Sequence, residues 1–236
     1  MITLFLALVQ FISGPGGGAV AAPPVSPFAL VNHVAVGTPS GNCNLTSGTS
    51  SAIATTGATL EVIGVSSFST TPTVSDSLGN TWIALPSQGS AGTIYPFYCA
   101  PCTVGASQTF SFGNGGSNSC MVAAAFSGAN ASPLDVDNGA LFVAPPSQGL
   151  SVTPSHVNSL VVSFIASQAG TCFSMDTIDS GMTITDTAGG FPSAGQGAAM
   201  AYIIETAIVA KNPIWTQSMG APAGCTGGVE NVVFKQ

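Results

Sequence analysis

The sequence predicts an all-β protein: a single antiparallel β-sandwich, jelly-roll-like, with an apolar N-terminal arm. Three observations predict it. Strand-sized apolar runs recur along the chain, separated by clusters of Gly, Pro, Asn, Asp and Ser, and no stretch shows helical periodicity. The strongest run, Leu60 to Val65, carries apolar residues on both parities, the pattern of a strand buried on both faces and central in its sheet. Hydrophobic residues make up 45% of the 236 positions, which is core enough for a folded body in spite of the 29 glycines.

Charge is scarce. The chain has two lysines, no arginine and nine carboxylates, 5% charged residues in all, where a soluble domain carries about 25%. Its polar surface is therefore built from Ser, Thr, Asn, Gln and Gly, as suits extracellular adhesins, silk-like assemblies and virion proteins. A net charge of −7 argues against a nucleic-acid partner, because phosphate binding needs clustered Lys and Arg.

Taken in order, the chain opens on Met1 to Ile12, its most hydrophobic segment. No Lys or Arg precedes the apolar run, so it lacks the positive flank of a signal peptide. It also falls short of the roughly 20 apolar residues that span a bilayer. The reading is an arm buried against a partner, with Ile2, Leu4, Phe5, Leu6, Leu8, Val9 and Phe11 as the anchoring side chains. An uncleaved leader is the alternative. Ser13 to Pro27, with its Gly triplet and prolines, is a linker. Residues 1–27 are thus arm and linker, and residues 28–236 the sandwich.

In the body, Ala29 to Val36 reads as a first strand and Gly37 to Ser51 as a polar loop. The central strand follows, then Asp76-Ser77-Leu78-Gly79-Asn80, whose residues suit a tight hairpin before Trp82. Ile94 to Tyr98, Thr109 to Phe112 and Cys120 to Phe126 are further strands, the last with three alanines that allow close sheet packing. Ser127 to Gly139 reads as a loop. The second half echoes the first. Leu160 to Ala166 matches Leu60 to Val65, Thr183 to Gly190 matches Thr73 to Asn80, and Met200 to Ile204 matches Met121 to Phe126. Val229 to Phe234 closes the chain. Two small sandwiches and one jelly roll compete as explanations, and the want of a linker between the halves favours one domain.

Four segments carry a family resemblance: ATLEVIGVSSF, TPTVSDSLGNTW, CMVAAAFSGANASPLD and the terminal VENVVFKQ. Over about residues 58–236 the chain resembles β-sandwich domains of tailed-phage structural proteins and bacterial surface proteins. The resemblance implies a binding or structural role and brings no catalytic residues with it. The second half departs from the pattern by an insertion before Asp186.

Candidate sites are each matched by a plainer reading. Cys99-Ala-Pro-Cys102 is spaced like a redox motif but lacks the βα context of a thioredoxin-like site, so no bond between the two is expected. All six cysteines read as structural, and zinc lacks a second ligand pair. Asp135 and Asp137 with Asn138 fall short of the six to eight oxygens calcium takes, and an Asx-bonded turn accounts for them. Asp76 and Asp186 could pair as acid and base, but turn capping accounts for both. Neither His33 nor His156 lies in a nucleophile motif. Asn44 and Asn130 head chance-prone glycosylation sequons. Trp82, Trp215, Tyr95 and Tyr98 could stack on sugar, though burial in the core is the fate expected of most.

The expectation is therefore a non-enzymatic virion structural protein of a tailed phage, a capsid decoration or a head or tail fibre, without cofactor or metal. Its partners would be other virion proteins (capsid, portal or tail) and further copies of itself, with no nucleic acid and no membrane span. A secreted adhesin or carbohydrate-binding module, taking a host glycan, is the alternative.

Overall fold

The structure, a computed structural model, describes residues 27–37, 43–68, 70–90, 92–116, 118–143, 147–167, 176–189, 196–216 and 225–236. These hold sixteen strands and no helix. The first half contains β1 (Ala29–Val36), β2 (Gly48–Thr49), β3 (Leu60–Ser67), β4 (Thr73–Asp76), β5 (Ile83–Ala84), β6 (Thr93–Cys99), β7 (Phe110–Gly113) and β8 (Cys120–Ser127). The second contains β9 (Leu134–Val143), β10 (Ser147–Gln148), β11 (Ser159–Ser167), β12 (Thr177–Ile178), β13 (Thr183–Ala188), β14 (Gly197–Glu205), β15 (Ile214–Thr216) and β16 (Thr226–Phe234). All pairings between them are antiparallel.

Two five-stranded sheets form the centre, ordered β1-β8-β3-β6-β5 and β13-β14-β11-β16-β9. They face one another across a core drawn from both halves, including Leu60, Val62, Tyr98, Phe126, Leu160, Phe164, Met200 and Phe234. This is the predicted antiparallel sandwich, and β3, buried at every residue, is the middle strand of its sheet as predicted. A three-stranded sheet lies outside each large one. β2-β7-β4 covers the first over Ile63, Val65, Phe97, Phe110, Phe112 and Met121. β10-β15-β12 covers the second over Val161, Ile165, Trp215, Val229 and Val233. The body is thus four layers with three cores. That is why β3 and β11 are apolar on both parities: each has a core above and another below.

The halves share one topology. Read from its other edge, the second large sheet is β9-β16-β11-β14-β13, the first with every strand number raised by eight, and the small sheets correspond in the same way. In each half the first strand pairs with the eighth, the second with the seventh and the third with the sixth, as in an antiparallel ribbon rolled into a jelly roll. Among the described residues no strand pairs across the halves, which meet mainly through side chains of the central core. Where the equivalent strands β3 and β11 meet, the repeat is broken by size. Leu60 pairs with Phe126 and Leu160 with Phe234, which makes Gly64 the counterpart of Phe164. A Cβ at Gly64 would lie 2.6 Å from Phe164 Cδ1. One ring fits between the sheets at this point because the opposing position has no side chain.

Three sequence readings are corrected. The Asp76–Asn80 turn joins no hairpin: β4 belongs to the small sheet and β5 to the large one, so the turn is a crossover between layers. Its local chemistry holds, with Leu78 N donating to Asp76 Oδ1 at 2.7 Å and Gly79 at φ 76°. The Ser127–Gly139 loop ends early, because Leu134 already begins β9, the edge strand paired to β16. The echoes also shift. Leu60/Leu160 is a true correspondence, but Thr183–Ala188 answers to β5 and Met200 lies on the counterpart of β6.

Candidate functional site

The anchoring residues expected in the arm, Ile2, Leu4, Phe5, Leu6, Leu8, Val9 and Phe11, lie outside the described residues. Within the body, the concentration of chemistry is a polar cluster inside the first roll, between its large and small sheets.

Its centre is Glu61. Side chains alternate along β3, so Glu61 shares the face of Ile63 and Val65 and points toward the small sheet. It is fully buried. Its Oε2 accepts from Gln108 Nε2 at 3.0 Å and more distantly from Asn80 Nδ2 at 3.5 Å, while Oε1 has no protein partner. Thr55 Oγ1 in turn donates to Gln108 Oε1, which fixes the amide. Burial pushes the Glu61 carboxyl up to about 7; Asp76 adds to the rise, while the bonds from Gln108 and Thr55 oppose it. Directly across the ladder from Glu61 stands Cys99, at the end of β6. The chain then turns through a cis Ala100–Pro101 peptide to Cys102.

Cys99 and Cys102 are disulfide-bonded, with Cα atoms 5.6 Å apart. This overturns the expectation that they stay unlinked. A four-residue turn brings its first and last Cα within about 7 Å, which is inside disulfide range. One carboxylate oxygen of Glu61 and both sulfurs lie within 4.8 Å of one another. Asn80 holds the outgoing loop, donating to Thr103 O at 2.9 Å and accepting from Thr103 N at 2.7 Å. Sequence reading singled out the cysteines but passed over Glu61. The available signal was a carboxylate set inside an apolar run, Leu60-Glu61-Val62-Ile63.

The other candidates disperse. Asp76 caps its turn and also accepts from Trp82 Nε1 at 2.9 Å. Asp186 does not cap a turn, as expected of it, but sits in β13 and contacts His33 Nδ1 at 2.8 Å, tying that strand to β1. Burial raises the Asp186 carboxyl, against the opposing bond and charge of His33. The two aspartates are thus on different elements with different partners, and form no acid–base pair. Asp135 and Asp137 lie on strand β9, in place of the expected Asx turn. Ser155 donates to Asp135 through both its backbone N and its Oγ, and that Oγ also meets His156 Nδ1 at 2.7 Å. In a nucleophilic triad the imidazole stands between serine and carboxylate; here the serine stands between them. Burial alone would raise the Asp135 carboxyl; the two Ser155 bonds, with His156 and Lys235, outweigh it and hold it low.

The aromatic residues form no common platform. Trp215 is fully buried with Nε1 donating to Ser163 Oγ at 2.9 Å, Tyr98 packs on Phe234 in the central core, and Trp82 packs edge-on against Phe110. A second buried carboxylate, Glu230 on β16, faces the central core beside Gln88. Burial pushes it up to about 8, Gln88 opposes, and Asp137 adds to the rise. Neither of its oxygens has a well-formed hydrogen bond.

Two further features bear on attachment. Cys43 and Cys120 are bonded across 77 positions, and Cys225 is disulfide-bonded as well. The edge strand β9 ends in Leu141 and Val143, 57% and 71% exposed, and carries neither Lys nor Pro. Among the described residues no helix is long and apolar enough to cross a membrane. Set beside known proteins, the chain matches no family model, no curated protein and no solved structure.

Proposed function

We propose that the protein is a non-enzymatic structural subunit of a tailed-phage virion, a capsid decoration or a head or tail fibre. In this reading the N-terminal arm anchors it and the Gly/Pro linker displays the body. The observation that carries the reading is the duplicated roll. Jelly rolls recur in viral capsid and lectin domains, whose surfaces are used for contact with other chains or sugars. The open edge of β9, with Leu141 and Val143 exposed, adds a surface suited to association with further copies. The scarcity of charge leaves little to repel a neighbour. The test is deletion of residues 1–13. The truncated chain is expected to fold and stay soluble but to be lost from purified particles, read by quantitative mass spectrometry. Wild-type occupancy would move attachment to the body.

The disulfides favour a second reading, a secreted adhesin or carbohydrate-binding module, since such bonds persist outside the cell. Saturable glycan-array binding by residues 28–236, together with absence from particles, would select it.

A further inference from the structure

We propose that Cys99–Cys102 is a redox-active disulfide that exchanges with external thiols, and that Glu61 beneath it gives and takes the proton of Cys99. The two disulfides with both partners described differ in kind. Cys43–Cys120 closes a 77-residue separation with both cysteines fully buried, so it removes much freedom from the unfolded chain. Cys99–Cys102 closes a separation of three, where the loop-closure gain is small. Stapling the fold is a weak reason for a bond there. Its surroundings supply another. Cys102 is half-buried at the surface, while Cys99 is 2% exposed and faces inward against Glu61. The Glu61 oxygen lies within 4.8 Å of both sulfurs, a gap that one water spans, and Oε1 is not engaged by any protein donor.

The exchange follows from that geometry. An external thiolate attacks Sγ of Cys102, the sulfur it can reach. The new bond joins it to Cys102, the bond between the two cysteines breaks, and its electron pair leaves on Cys99 Sγ. The groups that act on Glu61 there are Asp76, Gln108, Asn80 and Thr55, and none of them is a cation. With no cation to hold a thiolate, Cys99 needs a proton, and the Glu61 carboxyl is the donor at hand. A second external thiol then attacks the external sulfur of the mixed disulfide and releases Cys102. The two external thiols end as a disulfide, and the protein pair has gained two electrons and two protons. In the dithiol state Cys102 has an acceptor already placed, Cys99 O at 2.7 Å. In the reverse direction the Glu61 carboxylate takes the proton from Cys99. A carboxyl held near 7 serves both directions at neutral pH.

The experiment uses the oxidised full chain, dithiothreitol as the external thiol, quenching by alkylation, and mass spectrometry to read each pair. Cys99–Cys102 is expected to open under native conditions while Cys43–Cys120 stays closed. Its rate, divided by the thiolate concentration of the reductant, should fall at least about tenfold as pH rises through about 7, when Glu61 loses its proton. Glu61→Gln should abolish that step, and Glu61→Asp should restore it at a lower pH. A wild-type profile that is flat through this range, or a Cys99–Cys102 bond that opens only together with Cys43–Cys120, overturns the proposal. Because the wild-type profile alone decides, the test survives a Glu61→Gln variant that does not fold.

Discussion

At the scale of the residue, two positions in the central core carry the most information. Gly64 is small because Phe164 occupies the space its side chain would need. Gly64→Ala should overpack the core at a cost of about 1–3 kcal/mol, visible as a thermal midpoint lowered by about 2–4 °C per kcal/mol at this chain length. Combined with Phe164→Leu the two costs should not add, and strict additivity would show that the two sites are not in contact. Glu230 makes the opposite kind of statement. It is a buried carboxylate raised from 4.5 to about 8. Between those values the folded chain keeps a proton that the unfolded chain has lost. Stability therefore falls as pH rises through this window, by an amount of order a few kcal/mol. Glu61 acts in the same direction up to about 7. Denaturant midpoints of Glu230→Gln should decline less between pH 5 and pH 8 than those of wild type. An equal decline in both would locate the dependence elsewhere.

At the scale of the element, legibility followed burial. β1, β3, β6, β8, β11 and β16 could be read from sequence because their apolar runs face cores. β9 could not: Leu134-Asp-Val-Asp-Asn-Gly139 has the composition of a turn. What makes it a strand is its pairing along the whole of β16, and its Gly139 sits where a Cβ would collide with Glu230 and Gln88. β2, β5, β10 and β12 have two residues each, too few for any period to show. The Thr-x-Ser/Thr-Asp echo between the halves was a likeness of local chemistry, while true equivalence is set by which strands pair. For the same reason the cysteine pair was visible in sequence and its carboxylate neighbour was not, because only the register places Glu61 opposite Cys99. β9 also yields an expected outcome. A lysine on an open edge opposes edge-to-edge pairing, so Val143→Lys should shift sedimentation of the concentrated chain toward monomer and leave its melting temperature within about 1–2 °C. Unchanged association would assign self-contact to another surface.

At the scale of the whole molecule, the body is one roll repeated and laid against itself, the copies joined chiefly by the shared core and, at its margin, by the His33–Asp186 contact between β1 and β13. Each half leaves a five-stranded apolar face uncovered without the other, which explains why no linker separates them. The crossover between the halves, residues 128–133, is also where both ends of the body come together. A Cβ at Gly128 would lie 2.7 Å from the backbone of Pro27, and the φ of 90° there suits glycine. At the other end, Asn130 Nδ2 donates to Gln236 O at 3.1 Å, and Lys235 N to Pro133 O at 2.8 Å. Entry, crossover and exit thus share one pole, and the order of the two rolls along the chain is a matter of which of these neighbouring points is cut. A chain that starts at Ser132, runs through Gln236, crosses a short Gly/Ser bridge to Phe28 and stops at Ala131 should build the same four layers, with the same β-sheet circular dichroism and the same Cys43–Cys120 bond. To the folded body, the sequence is a circle, and the direction in which it is opened decides only where a tether could be tied.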